Sequence, residues 1–269
     1  MAEASARNGV IVNADSLQLY DALPILTAQP SPQDKEAVPH RLYGVLKPDE
    51  RCSAAQWRTL AIGEINAAHE EGRLPILTGG TGFYFKALMQ GLSPLPDVPP
   101  DVRAETMALQ KKLGNPAFHA DLAKIDPVTA ARLNPNDTQR LVRAREIIAA
   151  TGKSLSYWQS LPLEPPPARY VFELVLVSPE REVLYECCNA RFDVMMKNGA
   201  LDEVRTFDRD IQGGAVPADA PLTHALGFRP LQAALRGQMP MDEALEKAKA
   251  ETRQYAKRQV TWFRHQFKP

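Results

Sequence analysis

The chain is poor in cysteine. Three residues in 269 (Cys52, Cys187 and Cys188) are too few for a disulfide framework, and adjacent Cys187 and Cys188 lack the spacing of a zinc site. The five histidines, His40, His69, His119, His224 and His265, show no metal-ligand spacing either. Free thiols in a reducing compartment are the expectation. No apolar run approaches the roughly 18 residues needed to cross a membrane. The opening Met1-Ala2-Glu3-Ala4-Ser5-Ala6-Arg7 lacks the apolar core of a signal peptide. A soluble, cytoplasmic protein with no membrane partner is expected. Charge of one sign is also lacking: 32 Lys and Arg balance 32 Asp and Glu, which argues against coating nucleic acid through bulk charge. Neither a Gly-x-Ser-x-Gly elbow nor a Walker lysine motif occurs. What remains is ordinary globular material, 44% hydrophobic and 24% charged, a balance that argues against disorder. The length suits one large domain or two modest ones.

Local signals place the elements. Met1 to Asn8 is Ala-rich and helix-favouring, with Gly9 as its stop. Val10-Ile11-Val12 reads as a short buried strand. Ser53 and Gln56 have capping-box spacing at the head of a helix that Gly72 closes. Leu74 to Thr78 is a second strand. Gly79-Gly80-Thr81-Gly82 is a tight turn, and Phe83 to Gln90 a helix ended by Gly91. Strand, helix, strand, glycine loop and helix is the pattern of a parallel sheet with crossover helices. Proline-rich Leu92 to Pro100 and Leu161 to Pro167 mark two boundaries. Between them the pattern is helical, with Asp126-Pro127 as a cap and Asn136 or Asp137 capping a helix that ends near Gly152. An α/β core over residues 1–97 and 168–269, with a helical insertion over 98–167, is the expected organisation. The sheet is expected to resume at Tyr170 to Val177. Ser178-Pro179 should then cap a helix running to Asn198-Gly199, another helix follows from Leu201, and 213–227 reads as loop. A long final helix starts near Asp242.

Ligands of an open parallel sheet bind beyond the carboxyl ends of its strands. Two loops leave such ends, Asn13 to Gln18 and Gly79 to Gly82. Asp15 could serve as a general base there, because partial burial raises a carboxylate pKa. Ser16 and Gln18 offer hydrogen bonds, and Thr81 a hydroxyl on a backbone that permits close approach. Each residue also has a plain alternative: an Asp after a strand is often a helix cap, and Gly-Gly-Thr-Gly is often only a turn. From Lys247 to Pro269 the segment carries seven basic residues and one acid, a net +6, so the remaining chain is −6. Lys249, Arg253 and Lys257 recur every four residues and share a face. Leu245, Ala248, Thr252, Tyr255, Gln259 and Trp262 form a different, semi-apolar face. A helix with one packed and one cationic face suits a phosphate backbone; the plain alternative is a solvated charged helix. Arg140 and Arg143 share a face of a second cationic helix, and Arg103 is expected to join that surface.

Several stretches, in order, resemble the bacterial tRNA dimethylallyltransferases (isopentenyl-diphosphate:tRNA transferases). They are Asn13-Ala14-Asp15-Ser16-Leu17-Gln18-Leu19-Tyr20, Leu26-Thr27-Ala28-Gln29-Pro30, Val38-Pro39-His40-Arg41-Leu42 and Leu77-Thr78-Gly79-Gly80-Thr81-Gly82-Phe83-Tyr84-Phe85. Further on come Asn134-Pro135-Asn136-Asp137, Gln139-Arg140-Leu141-Val142-Arg143-Ala144, Ala225-Leu226-Gly227-Phe228-Arg229, and the run from Arg253 to Arg264.

The resemblance implies an α/β, P-loop NTPase-like parallel sheet core with a helical insertion domain and a long C-terminal helix. It implies transfer of a dimethylallyl group from dimethylallyl diphosphate to N6 of adenosine 37 in the tRNA anticodon stem-loop, in tRNAs reading codons that begin with U, by a monomer using Mg2+. Asp15 and Thr81 would be catalytic. Asp15, Ser16, Leu17, Gln18 and Thr81 would hold the flipped adenine and its neighbours. Arg103, Gln139, Arg140, Leu141, Val142, Arg143, His224, Gly227, Arg229, Arg253, Lys257, Arg258, Gln259, Thr261, Trp262 and Arg264 would contact the tRNA. The family also begins with a strand and a phosphate-binding loop ending in Gly-Lys-Ser or Gly-Lys-Thr, expected upstream of Met1, and usually continues past the final helix. On that expectation the 269-residue chain is a truncated form with impaired prenylation, or a catalytically inactive tRNA-binding remnant that still binds a stem-loop. A small-molecule kinase relative is disfavoured: it would need the same loop and has no use for a cationic final helix.

Overall fold

Three short parallel strands organise the first part of the molecule. A computed structural model describes residues 1–267. A single helical turn, α1 (Ala2–Ala6), ends where Asn8 takes a left-handed φ of 49°. Asn8 therefore makes the stop expected of Gly9, and Gly9 opens strand β1 (Gly9–Asn13), buried along its whole length. Helix α2 (Pro32–Ala37) carries a Ser31/Asp34 capping box and leads into the two-residue strand β2 (His40–Arg41). Helix α3 (Ala54–Glu70) starts at the Ser53/Gln56 capping box that the sequence specifies. Strand β3 (Leu74–Thr78) and helix α4 (Gly82–Gln90) follow. The sheet order is β2-β1-β3, with both pairings parallel. Trp57 of α3 stacks on Tyr84 of α4, ring centroids 4.3 Å apart, and so ties the two helices together.

The chain divides into two compact units. One comprises Met1–Ala87 with the chain from Phe172 onward, and the other is Leu88–Val171. The second unit is helical: α5 (Pro100–Ile125), bent at Gly114, α6 (Pro127–Arg132), α7 (Thr138–Thr151) and α8 (Leu155–Ser160). Asp126 caps α6 and Asp137 caps α7, each through its side chain, and Gly152 closes α7 in the left-handed region. Phe118, Leu122, Leu141, Ala144 and Ile147 fill the core of this unit.

The first unit then adds α9 (Arg181–Lys197), α10 (Ala200–Gln212), a short 3₁₀ turn at Pro221–His224, α11 (Phe228–Leu235) and α12 (Met241–Gln266). Two expectations fail here. Tyr170 to Val177 forms no strand. Val171, Val175 and Val177 are 98%, 75% and 83% exposed, because a strand needs a ladder beside it and composition cannot supply one. The helix expected from Ser178-Pro179 begins at Arg181, with no side-chain cap. Lys268, counted with the basic residues of the final segment, lies outside the described residues.

Candidate active site

The two strand exits meet because β1 and β3 are parallel and in register up to Asn13 and Thr78. The Ala14 N–H donates to Thr78 and the Thr81 N–H donates to the Ala14 carbonyl. Asn13 is fully buried at the end of an otherwise apolar strand. Its side-chain N–H groups donate to the carbonyls of Leu42 and Asp15, its oxygen accepts from the Asp15 N–H at 2.8 Å, and its own carbonyl accepts from the Trp57 indole. The loop carrying Asp15 is thus pinned from beneath. The Thr81 hydroxyl accepts from the Ser16 N–H at 2.9 Å and donates to the Ser16 hydroxyl. Thr81 accordingly acts on the neighbouring loop of its own chain.

The glycines of the 79–82 turn are set by what lies against them. A Cβ on Gly79 would sit 2.2 Å from the Ala14 backbone, one on Gly80 1.9 Å from the Gln259 amide, and one on Gly82 2.2 Å from the Trp262 ring. Gln259 also donates to the Gly80 carbonyl at 2.9 Å. The close approach expected of a ligand is made, at Gly80 and Gly82, by helix α12 itself.

Over this edge lies a cavity of about 720 Å³, lined among others by Asp15, Gln18, Tyr43, Arg191, Tyr255 and Arg258. Burial pushes the Asp15 carboxyl above its usual range. Hydrogen bonds from the backbone of Leu17, Gln18 and Gly80, and the charge of Arg191, pull the other way without cancelling it. Tyr43 is pushed up to about 12, by burial first and by the Asp15 charge second, and Tyr255 is raised for the same two reasons. The result is a carboxylate poised to take a proton, beside two arginines and beside phenols that keep theirs. Both side-chain N–H groups of Gln18 donate inward, to the carbonyls of Thr27 and Ala28. Arg191, Tyr43 and the role of Asn13 escaped the reading of the sequence. Buried Cys188, Phe192 and Met195 mark the packed face of α9, and a lone arginine adjoining that stripe is the signal that points to Arg191.

Some of the cationic residues are paired and others are exposed. Lys249 pairs with Asp193 at 2.7 Å and Arg253 donates to Asn189 at 2.6 Å. These two members of the expected cationic face therefore hold α12 against α9, and the face is not free as a whole. Lys257, Arg258, Thr261 and Arg264 are exposed and Trp262 is partly buried; His224 and Arg229 are exposed as well. Gly227 is buried with φ of 84°, and a Cβ there would strike the Phe192 ring at 2.8 Å. Its backbone is packed against that ring. In the helical unit, Arg103 and Arg143 converge on Glu146, a carboxylate only 2% exposed, at 3.7 and 3.6 Å. Gln139 and Arg140 are exposed and Val142 half-buried, whereas Leu141 is fully buried. Leu141 belongs to the core of that unit, contrary to expectation.

Residues 18–266 match the model of the IPP transferase family. The chain belongs to that family. It is 53% identical over 258 residues to the tRNA dimethylallyltransferase of Paramagnetospirillum magneticum, covering 96% of this chain and 80% of that one. It is 50% identical over 263 residues to the enzyme of the same name from Rhodospirillum centenum, covering 98% and 82%. Among solved structures, the full-length tRNA isopentenylpyrophosphate transferase of Bacillus halodurans superposes with a TM-score of 0.64 at 36% identity, over 99% of this chain and 82% of that one. A eukaryotic dimethylallyltransferase acting on tRNA superposes at 0.80, with 26% identity, over 97% and 64%. The mixed α/β architecture, a small parallel sheet among many helices, is that of these transferases, and membership makes this chain a prenyltransferase. No helix among the described residues is long and apolar enough to cross a membrane.

Proposed function

We propose that this IPP transferase family member moves a dimethylallyl group from dimethylallyl diphosphate to N6 of adenosine 37, beside the anticodon, in tRNAs that read codons beginning with U, acting as a cytoplasmic monomer. The observation that carries the reading is Asp15: a carboxylate with a raised pKa at the exit of a buried parallel strand, inside a cavity shared with Arg191 and Arg258. An exocyclic amine is a weak nucleophile, so a positioned base and strict orientation must assist it. N6 attacks the allylic carbon. The N–C bond forms as the C–O bond breaks, the electron pair departs with diphosphate, and the N6 proton passes to Asp15. Arg191 and Arg258 supply positive charge where diphosphate gathers negative charge. The target base is stacked in its loop and must be extruded to react. Tyr43 and Tyr255 offer aromatic surface to receive it. Thr81 contributes by holding Ser16, and so the loop that aims Asp15. The helical unit, with Arg103, Gln139, Arg140 and Arg143, and the exposed cations of α12 would meet the phosphates.

The residues described do not make a magnesium site of their own. No group of three or more His, Cys, Asp or Glu side chains is gathered among them. Of the cavity carboxylates, Asp34 is taken up by its capping box with Ser31 and Asp15 accepts from the Leu17 N–H.

The test is transfer of a labelled dimethylallyl group to an anticodon stem-loop by the full-length protein encoded by the gene. Transfer is expected only when adenosine stands at position 37, and Asp15→Ala should lower turnover by about 10²- to 10⁴-fold. Salt-sensitive stem-loop binding with no transfer would overturn the reading in favour of an RNA-binding remnant.

A further inference from the structure

One wall of the cavity is made by Leu26, Thr27, Ala28 and Pro30. The first three belong to an isolated turn spanning Leu23 to Gln29, and Pro30 follows it. Within it the Thr27 N–H donates to Leu23, the Gln29 N–H to Pro24 and the Ala28 N–H to Ile25. The turn is not self-sufficient. Leu23 and Ala28 sit at φ of 56° and 58°, in the left-handed region that costs a side chain energy. A lone turn also leaves N–H groups at its start and carbonyls at its end without partners.

Both ends are completed by single side chains from elsewhere. At the end, the Gln18 amide donates to the Thr27 and Ala28 carbonyls at 2.8 and 2.9 Å. At the start, the Glu203 carboxylate of α10 accepts from the Ile25 N–H at 2.9 and 3.1 Å and from the Leu26 N–H at 3.0 Å. Charge-assisted bonds of this kind are roughly twice as strong as neutral ones. Glu203 is far from the reaction in sequence and carries no motif.

We propose that Glu203 is a positioning residue for the acceptor: by capping the 23–29 turn it keeps the wall beside Asp15 and Gln18 preformed, so that the RNA need not order it on binding. This deepens the prenyl-transfer reading and rests on it. Pre-ordering of this kind acts on binding, because the cost of fixing the turn is otherwise drawn from the affinity of the ligand that enters.

The test combines amide exchange with kinetics of the full-length protein. In Glu203→Ala the exchange of the Ile25 and Leu26 amides should accelerate about tenfold or more, since a charge-assisted cap is lost. KM for an anticodon stem-loop should rise about tenfold while kcat and the KM for dimethylallyl diphosphate stay within about twofold, the pattern of lost ground-state binding. Glu203→Gln should recover part of both effects, because its amide oxygen still accepts from an N–H. Phe207→Leu serves as the control for general destabilisation. It loosens the buried contact of α10 with Phe228 and should leave both amides and the stem-loop KM as they are. An unchanged stem-loop KM in Glu203→Ala, or an equal rise in Phe207→Leu, would overturn the proposal. Were the unaltered protein to transfer nothing, the functional reading would fail instead, and the exchange of Ile25 and Leu26 would still report on the cap.

Discussion

Asp15 owes its chemistry to its address. Asn13 and Thr81 hold its loop, and burial raises its pKa while three backbone donors and Arg191 restrain the rise. A carboxyl raised in the native state binds its proton more tightly there than in the unfolded chain. Stability therefore falls as pH climbs from the ordinary carboxylate value of about 3.9 through the native pKa. Asp15→Asn keeps an oxygen for the Leu17 N–H and removes the charge. It should raise the melting temperature at neutral pH, and thermal scans should show that gain vanish below the ordinary carboxylate pKa. Under the proposed role activity carries the opposite sign, since a base must be ionised to take a proton. kcat/KM is expected to rise with pH through a pKa above that of a free aspartate and then level off. An acid limb at or below the free value would remove Asp15 from the role of base.

Among the elements, the 79–82 turn and helix α12 specify one another. The turn can be approached only because Gly80 and Gly82 lack a Cβ, and α12 places Gln259 and Trp262 in those gaps. Lys86 to Gln266 at 2.7 Å and Phe85 against Phe263 continue the contact along α4. Gly82→Ala would force a methyl into the Trp262 ring. Overpacking of this kind costs about 1–3 kcal/mol, and denaturant unfolding should show it together with a change in tryptophan fluorescence. Helix α7 supplies a second contrast. Leu141→Ala should cost about 2–5 kcal/mol of stability as a core truncation, whereas Arg140→Ala, on the exposed face, should stay within about 0.5 kcal/mol. Equal stabilities for the two variants would contradict the burial of Leu141.

For the whole molecule, zero net charge conceals an uneven surface. The terminal segment has a net charge of +6, yet Lys249 and Arg253 are spent on α9. The cations left exposed on α12 among the described residues are Lys247, Lys257, Arg258 and Arg264. RNA affinity should therefore follow these residues and not the whole basic stripe. Lys257→Ala is expected to weaken stem-loop binding and to reduce the slope of log K against log salt by about 0.7, the share of one phosphate contact on a single strand. Titrations at several salt concentrations decide it. An unchanged slope would place Lys257 away from the phosphates.

Much was legible in the residues themselves, where the cause is local. The Ser53/Gln56 box, the Asp126 and Asp137 caps, Gly152 and the strand Leu74–Thr78 all stand where capping chemistry and apolar runs put them. The pairing of Asp15 with Thr81 at one sheet edge also followed, since parallel strands carry their exits to the same side. What the residues could not decide was contact between distant segments. Tyr170 to Val177 has the composition of a strand and forms none, because a strand exists only beside a partner. Lys249 and Arg253 read as a phosphate-facing surface until α9 claims them. Glu203 is unremarkable in one dimension and caps N–H groups 178 and 177 positions away, because only the packing of α10 brings its carboxylate to them.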